Sequence, residues 1–138
     1  LRPSMLDDLG LVATLGWFCR EFDALYPPVS IKKRIELEEF EIPDVLKIVV
    51  FRIVQEALNN IGKHAGASAV SVELTRSGDT LKLRIEDDGR GIPSQALPVD
   101  KGLGLSSMKE RAKLSSGSLS VDTTEGSGTV VQVLWPLS

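Results

Sequence analysis

Cysteine and histidine each occur once, as Cys19 and His64. A single cysteine excludes an internal disulfide, and one cysteine with one histidine leaves no set from which to build a zinc cluster. A reducing cytoplasm fits that usage best. Basic charge is not in excess: 16 Lys and Arg stand against 19 Asp and Glu, a formal net charge of −3. The broad positive field needed for general binding to nucleic acid or an anionic membrane is therefore missing. Although 42 % of the residues are hydrophobic, no uninterrupted apolar run approaches the roughly 20 residues that cross a bilayer. Internal repeats and low-complexity tracts are absent. Leu1 is neither an initiator Met nor the start of a signal-peptide pattern, so a piece of something longer is expected. The 138 residues suffice for one domain with a real core and are too few for two comfortable ones.

Leu6, Leu9, Val12, Ala13, Leu15, Gly16 and Phe18 to Phe22 predict a leader helix ending near Tyr26, because Pro27-Pro28 cannot continue it. Ile31, Ile35 and Leu37, set among Lys32, Lys33, Arg34 and Glu36, read as a partly exposed first strand stopped by Glu38 to Glu41. Pro43 suits a first helical position and Asp44 the positive end of the helix dipole. From there to His64 the only breaker is Gly62, which predicts a second, longer helix. Val70, Val72, Leu74 and then Leu81, Leu83, Ile85 alternate with polar residues around Ser77-Gly78-Asp79, a hairpin with one buried face. Residues Ile92 to Lys101 contain Pro93 and Pro98 without periodicity and read as a mobile loop. Leu105 to Leu114 predicts a helix, with Ser107 and Glu110 spaced as a capping box and Gly117 placed to end it. Leu119 and Val121, the turn Gly126-Ser127-Gly128, and Thr129 to Trp135 give two last strands. Five strands with two or three helices make a two-layer α/β sandwich, divided into a leader (1–26) and the domain itself (27–138).

Three polar segments interrupt this ordinary core sequence. At 100° per residue, Glu56, Asn60 and Lys63 fall within about 60° of one another, opposite Phe51, Val54, Leu58 and Ile61. A carboxylate and an amide oxygen suit a hard cation such as Mg²⁺, which takes few protein oxygens and completes its shell with water and substrate phosphates. Lys63 would then meet phosphate charge. A solvated helix face carries the same residue types, but Asn59 beside Asn60 places two poor helix formers in mid-helix with no local compensation. Asp87 closes an alternating strand just before Gly89 and Gly91; an acid held there can accept an exocyclic amine proton of adenine, while Asp-Gly also marks plain turns. Gly102-Leu103-Gly104-Leu105 opens a helix and can set backbone N–H groups against phosphate, or simply hinge a loop. Two known phosphate signatures fail. Ser107 replaces the third glycine of G-x-G-x-x-G, and Gly62-Lys63 lacks both the following Ser/Thr and the earlier glycine of a P-loop, Ala57 standing there.

In order, these segments resemble the ATP-binding catalytic domain of bacterial two-component sensor histidine kinases, within the wider family shared by gyrase, Hsp90 and MutL. Phe51 to Asn60 and on through Lys63-His64-Ala65 resembles the N box, Asp87 to Gly91 the first glycine box, Gly102 to Leu105 the second, and Gly126-Ser127-Gly128-Thr129 the third. The match runs over essentially the whole chain. Leu1 to Leu11, and Gly104-Leu105 followed by Met108-Lys109-Glu110-Arg111-Ala112, are similar to the nitrate-sensor-like subfamily.

The resemblance implies a Bergerat ATP-binding fold, a mixed sheet of about five strands under two or three helices, with residues 1–26 as the tail of a dimerisation helix. It implies ATP and Mg²⁺ as ligands. Asn60 would coordinate the metal, Glu56 would assist there or polarise the attack, Lys63 and His64 would approach the phosphates, and Asp87 would recognise adenine. Residues 92–101 would be the ATP lid, shaped by Gly89, Gly91, Gly102 and Gly104 ahead of Leu105, with Thr129 supporting adenine through water. Gly62, where a larger residue is usual, and a short lid without an aromatic box depart from the pattern. His64 follows the metal-binding positions directly and cannot serve as its own phosphoacceptor; as a residue alone it has a second, weaker reading as a surface or capping histidine. The acceptor histidine would lie on a dimerisation domain outside this chain, so that the fragment binds ATP without autophosphorylating. Implied partners are that domain and a response regulator, the whole protein being a homodimer with this domain cytoplasmic and an attachment to the membrane open. Two other readings use the same residues: a non-catalytic nucleotide-binding module, and an ATP-hydrolysing gate of the gyrase or MutL type in which Glu56 activates water.

Overall fold

The computed structural model of the protein describes residues 3–92 and 104–137. Helices α1 (Ser4–Leu9) and α2 (Leu11–Leu25) precede strand β1 (Ser30–Glu36), helix α3 (Asp44–Asn60) and strands β2 (Ala69–Ser77) and β3 (Thr80–Asp87). Helix α4 (Leu105–Leu114) and strands β4 (Ser118–Thr124) and β5 (Gly128–Pro136) complete the order. A 3₁₀ turn at Glu39–Glu41 leads into α3 and a π-helical turn at Ile61–Ala65 leads out of it. The strands form one sheet in the order β1-β2-β3-β5-β4, with β1 and β2 parallel and every other pair antiparallel. The parallel pair follows from the helical crossover, α3, that joins its two strands. This is the α/β sandwich with a mixed five-stranded sheet expected from the sequence. Among the described residues no helix is long and apolar enough to cross a membrane.

Alternation puts Val70, Val72 and Leu74 of β2, Leu81, Leu83, Ile85 and Asp87 of β3, and Val131, Val133 and Trp135 of β5 on the buried side of the sheet. In β3 and β5 these lie directly opposite one another: Leu81 with Trp135, Leu83 with Val133, Ile85 with Val131 and Asp87 with Thr129. Helix α3 contributes Val50, Phe51, Ile53, Val54, Ala57 and Leu58 to the core, and α4 contributes Met108 and Ala112. Leu11, Leu15, Cys19 and Phe22 of α2 belong to the same core, and Phe18 meets the Phe51 ring edge-on at 5.6 Å. Burial pushes the Cys19 thiol above its ordinary pKa against the pull of Lys33 and Arg20, which makes it a packing residue and not a reactive one.

Several local features depart from the sequence expectation. The leader is not one helix: Gly10, at φ +90°, separates α1 from α2. Pro43 caps α3 from outside instead of forming its first turn. The α-helix stops at Asn60, and Gly62 lies in the π turn, where a side chain would collide with the Tyr26 ring. Tyr26 is itself packed on Phe22 at 5.1 Å, so the small residue at 62 is matched to an aromatic from the end of the leader. No capping box forms at Ser107 and Glu110, because α4 begins two residues earlier, after Gly104; a capping box closes instead on Glu38 and Glu41 around the 3₁₀ turn. At the other end of α4 the left-handed residue is Ser116, at φ +65°, while the Gly117 N–H donates to the Ala112 carbonyl at 2.7 Å.

The break at Gly10 is held from a distance. The Glu39 carboxylate accepts the N–H groups of Leu11 (2.8 Å) and Val12 (2.9 Å), capping α2 from outside its own segment, and Lys47 pairs with it at 3.0 Å. Burial raises the Glu39 pKa, but the Val12 and Leu11 N–H groups and the Lys47 ammonium outweigh it and hold the carboxyl below its ordinary range. The cap's contribution is therefore full above the ordinary glutamate pKa and is lost as pH falls through the lowered one. Glu39→Ala is expected to reduce unfolding free energy by about 0.5–2 kcal/mol at neutral pH. Urea titrations repeated at acid pH should show the gap between parent and variant closing.

Candidate functional site

The helix-facing row of β3 ends in a carboxylate. Asp87 is only 6 % exposed and stands where three leucine and isoleucine side chains of the same strand precede it on the buried face. Its Oδ1 accepts the Gly89 N–H at 2.8 Å. Burial raises its pKa, the Gly89 hydrogen bond lowers it in part, and the negative neighbours Asp88 and Glu86 raise it further. Thr129, opposite on β5, shares a hydrogen bond of 3.0 Å with Thr123, whose hydroxyl also accepts the Ile92 N–H at 2.9 Å. A buried carboxyl and a pair of hydroxyls thus line one end of the sheet.

The loop that follows Asp87 is stitched to the turn that follows α3. The Arg90 N–H donates to the Ala65 carbonyl at 2.8 Å and the Arg90 Nε to the His64 carbonyl at 2.6 Å. Asp88 points the other way and accepts the N–H groups of Ala69 (2.9 Å) and Ser68 (2.8 Å), which hold its carboxyl below the ordinary range. Gly89 passes so close to Ala65 that a Cβ would strike its carbonyl oxygen. Gly128, at φ +97°, is pressed in the same way against the Asp87 carbonyl. Gly91 lies beside Thr124, and the Gly126 N–H donates to the Arg90 carbonyl at 2.6 Å. The first and third glycine segments therefore close on each other around Asp87.

Glu56 and Asn60, one turn apart on α3, are both partly buried. The Glu56 carboxylate lies against Gly104, the cap of α4, so closely that a Cβ on that glycine would overlap it. Gly104, at φ +69°, is the cap residue, and the N-terminus of α4, beginning at the partly buried Leu105, stands beside the polar face of α3. Anions are favoured at such a terminus. Lys63 and His64 are exposed in the π turn. The α-helical projection that aligned Lys63 with Glu56 and Asn60 stops applying at Ile61, so its alignment is corrected on that ground. The lid segment, Gly102 and Leu103 fall in or run into 93–103, outside the described residues.

Sequence reading missed Thr123, Ala65 and the anchoring of Asp88 and Arg90. Thr123 carried a signal: Thr123 and Thr129 sit symmetrically about Gly126 and pair in register. The other contacts run through backbone carbonyl and N–H groups that no side-chain pattern reveals.

A sequence model of the family described as histidine kinase-, DNA gyrase B-, and HSP90-like ATPase matches residues 46–138. The signal transduction histidine-protein kinase/phosphatase UhpB of Salmonella typhimurium (strain LT2) is 35 % identical over 133 residues, which are 96 % of this chain and 26 % of that protein. The chain thus spans about a quarter of the length of that relative. The histidine kinase domain of the Erythrobacter litoralis EL346 blue-light activated histidine kinase superposes with a TM-score of 0.79 at 25 % identity, over 92 % of this chain and 61 % of that one. The mycobacterial sensor histidine kinase MprB shares the fold, with a TM-score of 0.66 at 22 % identity over 86 % of this chain and 88 % of that one.

Proposed function

Because this chain belongs to the histidine kinase-, DNA gyrase B- and HSP90-like ATPase family and is the ATP-binding domain of a histidine kinase, we propose that it positions the γ-phosphate of Mg-ATP for transfer to a histidine on a dimerisation domain outside residues 1–138. The observation that carries the reading is the buried Asp87 carboxyl at one end of the sheet, joined through Gly89 and Arg90 to the turn that ends α3, whose polar face carries Asn60 and Glu56 beside the N-terminus of α4. In this reading Asp87 accepts the adenine amine, Thr129 supports the base, and Gly89, Gly91 and Gly104 let backbone approach the nucleotide. Lys63 and His64 meet phosphate from the π turn, and Leu105 opens α4. Residues 1–26 lead in from the dimerisation domain and 27–138 form the nucleotide-binding unit.

For magnesium the donor chemistry fits. Asn60 offers an amide oxygen and Glu56 a carboxylate, and among the described residues no three His, Cys, Asp or Glu side chains converge into a cage made by protein alone. Asn60 and Glu56 would hold such a cation together with water and phosphate, and it would supply neutralisation of phosphate charge. The chain's own work is orientation: Asp87 fixes the base, Asn60 the phosphate end, and Glu56 stands where the γ-phosphate would meet its acceptor. The whole protein we read as a homodimer that passes phosphate on to a response regulator, with this domain on the cytoplasmic side.

The test supplies the purified domain with Mg-ATP labelled at the γ position and a separately produced dimerisation domain of the same kinase. Label appearing on a histidine of that domain is the expected result. Nucleotide binding without transfer would leave a passive binding module, and steady hydrolysis in the absence of acceptor would point to a gate.

A further inference from the structure

The polar row on α3 does not stop at Glu56. Arg52 precedes Glu56 by four residues, as Glu56 precedes Asn60, so the three lie within about 80° on one side of the helix and Arg52 is displaced about 6 Å toward its N-terminus. It is partly buried, its Nη1 donates to the Gln55 amide oxygen at 2.9 Å, and its Cζ lies 5.7 Å from the Phe51 ring centroid. Both partners are neutral, and they hold the guanidinium on the Gln55 and Phe51 side of the helix, beside the row, from which it would turn to reach a ligand. Arg34, Lys47 and Arg84 each pair with a carboxylate; among the described residues Arg52, like Arg20, Arg76, Arg90 and Arg111, has none, and of these it alone lies on the polar row of α3. A guanidinium held against neutral groups keeps most of its five donors for an anion from outside.

The direction of the row gives that anion a place. Asp87 is tied through Gly89 and Arg90 to the backbone carbonyls of Ala65 and His64, in the π turn beyond the C-terminal end of α3, so the base end of a bound nucleotide belongs on that side and the Lys63 and His64 side chains meet the phosphates that follow it. Asn60, Glu56 and Arg52 then lead away from the base in that order. Beyond Arg52 the same side presents Val49 and the exposed Val45.

We propose that Arg52 is a catalytic residue, its guanidinium contacting the γ-phosphoryl as it passes from nucleotide to acceptor. The inference rests on the kinase reading above. In the step, the lone pair of an acceptor imidazole nitrogen forms the P–N bond while the bond from γ-phosphorus to the β,γ-bridging oxygen breaks. The electron pair leaves with ADP, and the remaining imidazole N–H proton is released to water. The charge spread over the three equatorial oxygens is what a planar fork of donors neutralises.

The experiment uses the full-length kinase with Arg52→Ala and Arg52→Lys. It measures kcat and KM for ATP in autophosphorylation, and the calorimetric Kd for a non-hydrolysable ATP analogue with Mg²⁺. Arg52→Ala should lower kcat about tenfold or more and leave the analogue's Kd within about threefold of the parent's. Arg52→Lys, which keeps the stem and a charge, should recover part of the loss. A Kd that weakens in parallel with kcat would assign Arg52 to holding ground-state nucleotide, and an unchanged kcat would make it a surface residue; either overturns the proposal. A parent that binds Mg-ATP and labels no histidine would instead sink the kinase reading, and the role of Arg52 with it.

Discussion

Asp87→Asn is expected to weaken adenine nucleotide binding about 10- to 150-fold, the equivalent of roughly 1.5–3 kcal/mol for a hydrogen bond to a charged acceptor, and at the same time to stabilise the nucleotide-free domain. Both effects follow from one placement. The carboxyl is buried at the end of an apolar row, and that burial, with Asp88 and Glu86 nearby, raises its pKa above the ordinary aspartate value. A raised pKa means that the folded protein holds the proton more tightly than the unfolded chain does. The stability linked to that proton is full below the ordinary aspartate pKa and is lost as pH rises through the raised one. Above that raised pKa the domain carries a destabilising charge that an amide would not, while the Asn oxygen can still accept the Gly89 N–H. Thermal unfolding without nucleotide should show the variant ahead of the parent above that pKa and level with it in acid. Titration calorimetry checks the other half: an unchanged affinity would remove Asp87 from the base site.

Asn60→Ala is expected to abolish the advantage that magnesium gives to ATP binding, bringing the affinity for Mg-ATP down to roughly that for metal-free ATP. The base contact at Asp87 is untouched, so the metal-free affinity should persist, and this separates a lost ligand from a lost fold. Four titrations suffice, parent and variant with and without Mg²⁺. If the variant keeps the parent's magnesium increment, Asn60 is not the metal's ligand.

How far the sequence reached depended on the range of the contacts. Strict alternation in 70–74 and 81–85 made both the hairpin and its buried face readable, and Asp87 reads as closing that strand; that it lies on the buried face behind Leu81, Leu83 and Ile85 is what the structure adds. The four-residue spacing of Glu56 and Asn60 placed them on one face of a helix that the structure does contain. What escaped was set by partners far along the chain. The break at Gly10 is stabilised by Glu39, 27 and 28 residues from the N–H groups it accepts, and no local pattern announces it. The π turn that carries Lys63 away from the helical projection is fitted to Tyr26, some 36 residues earlier in the sequence. Asp88 and Arg90 look like ordinary turn residues until the backbone of 64–69 is brought beside them. The capping box on Ser107 and Glu110 failed for a different reason: its spacing was right, but Gly104 could already open the helix by adopting a left-handed conformation that serine would resist.

The buried thiol of Cys19 leaves this domain with a chemically quiet background. A cysteine introduced at an exposed position on α4, such as Ser106→Cys, would be the one that a maleimide dye finds, so a fluorophore can be set beside the proposed nucleotide site without first removing the native sulfur.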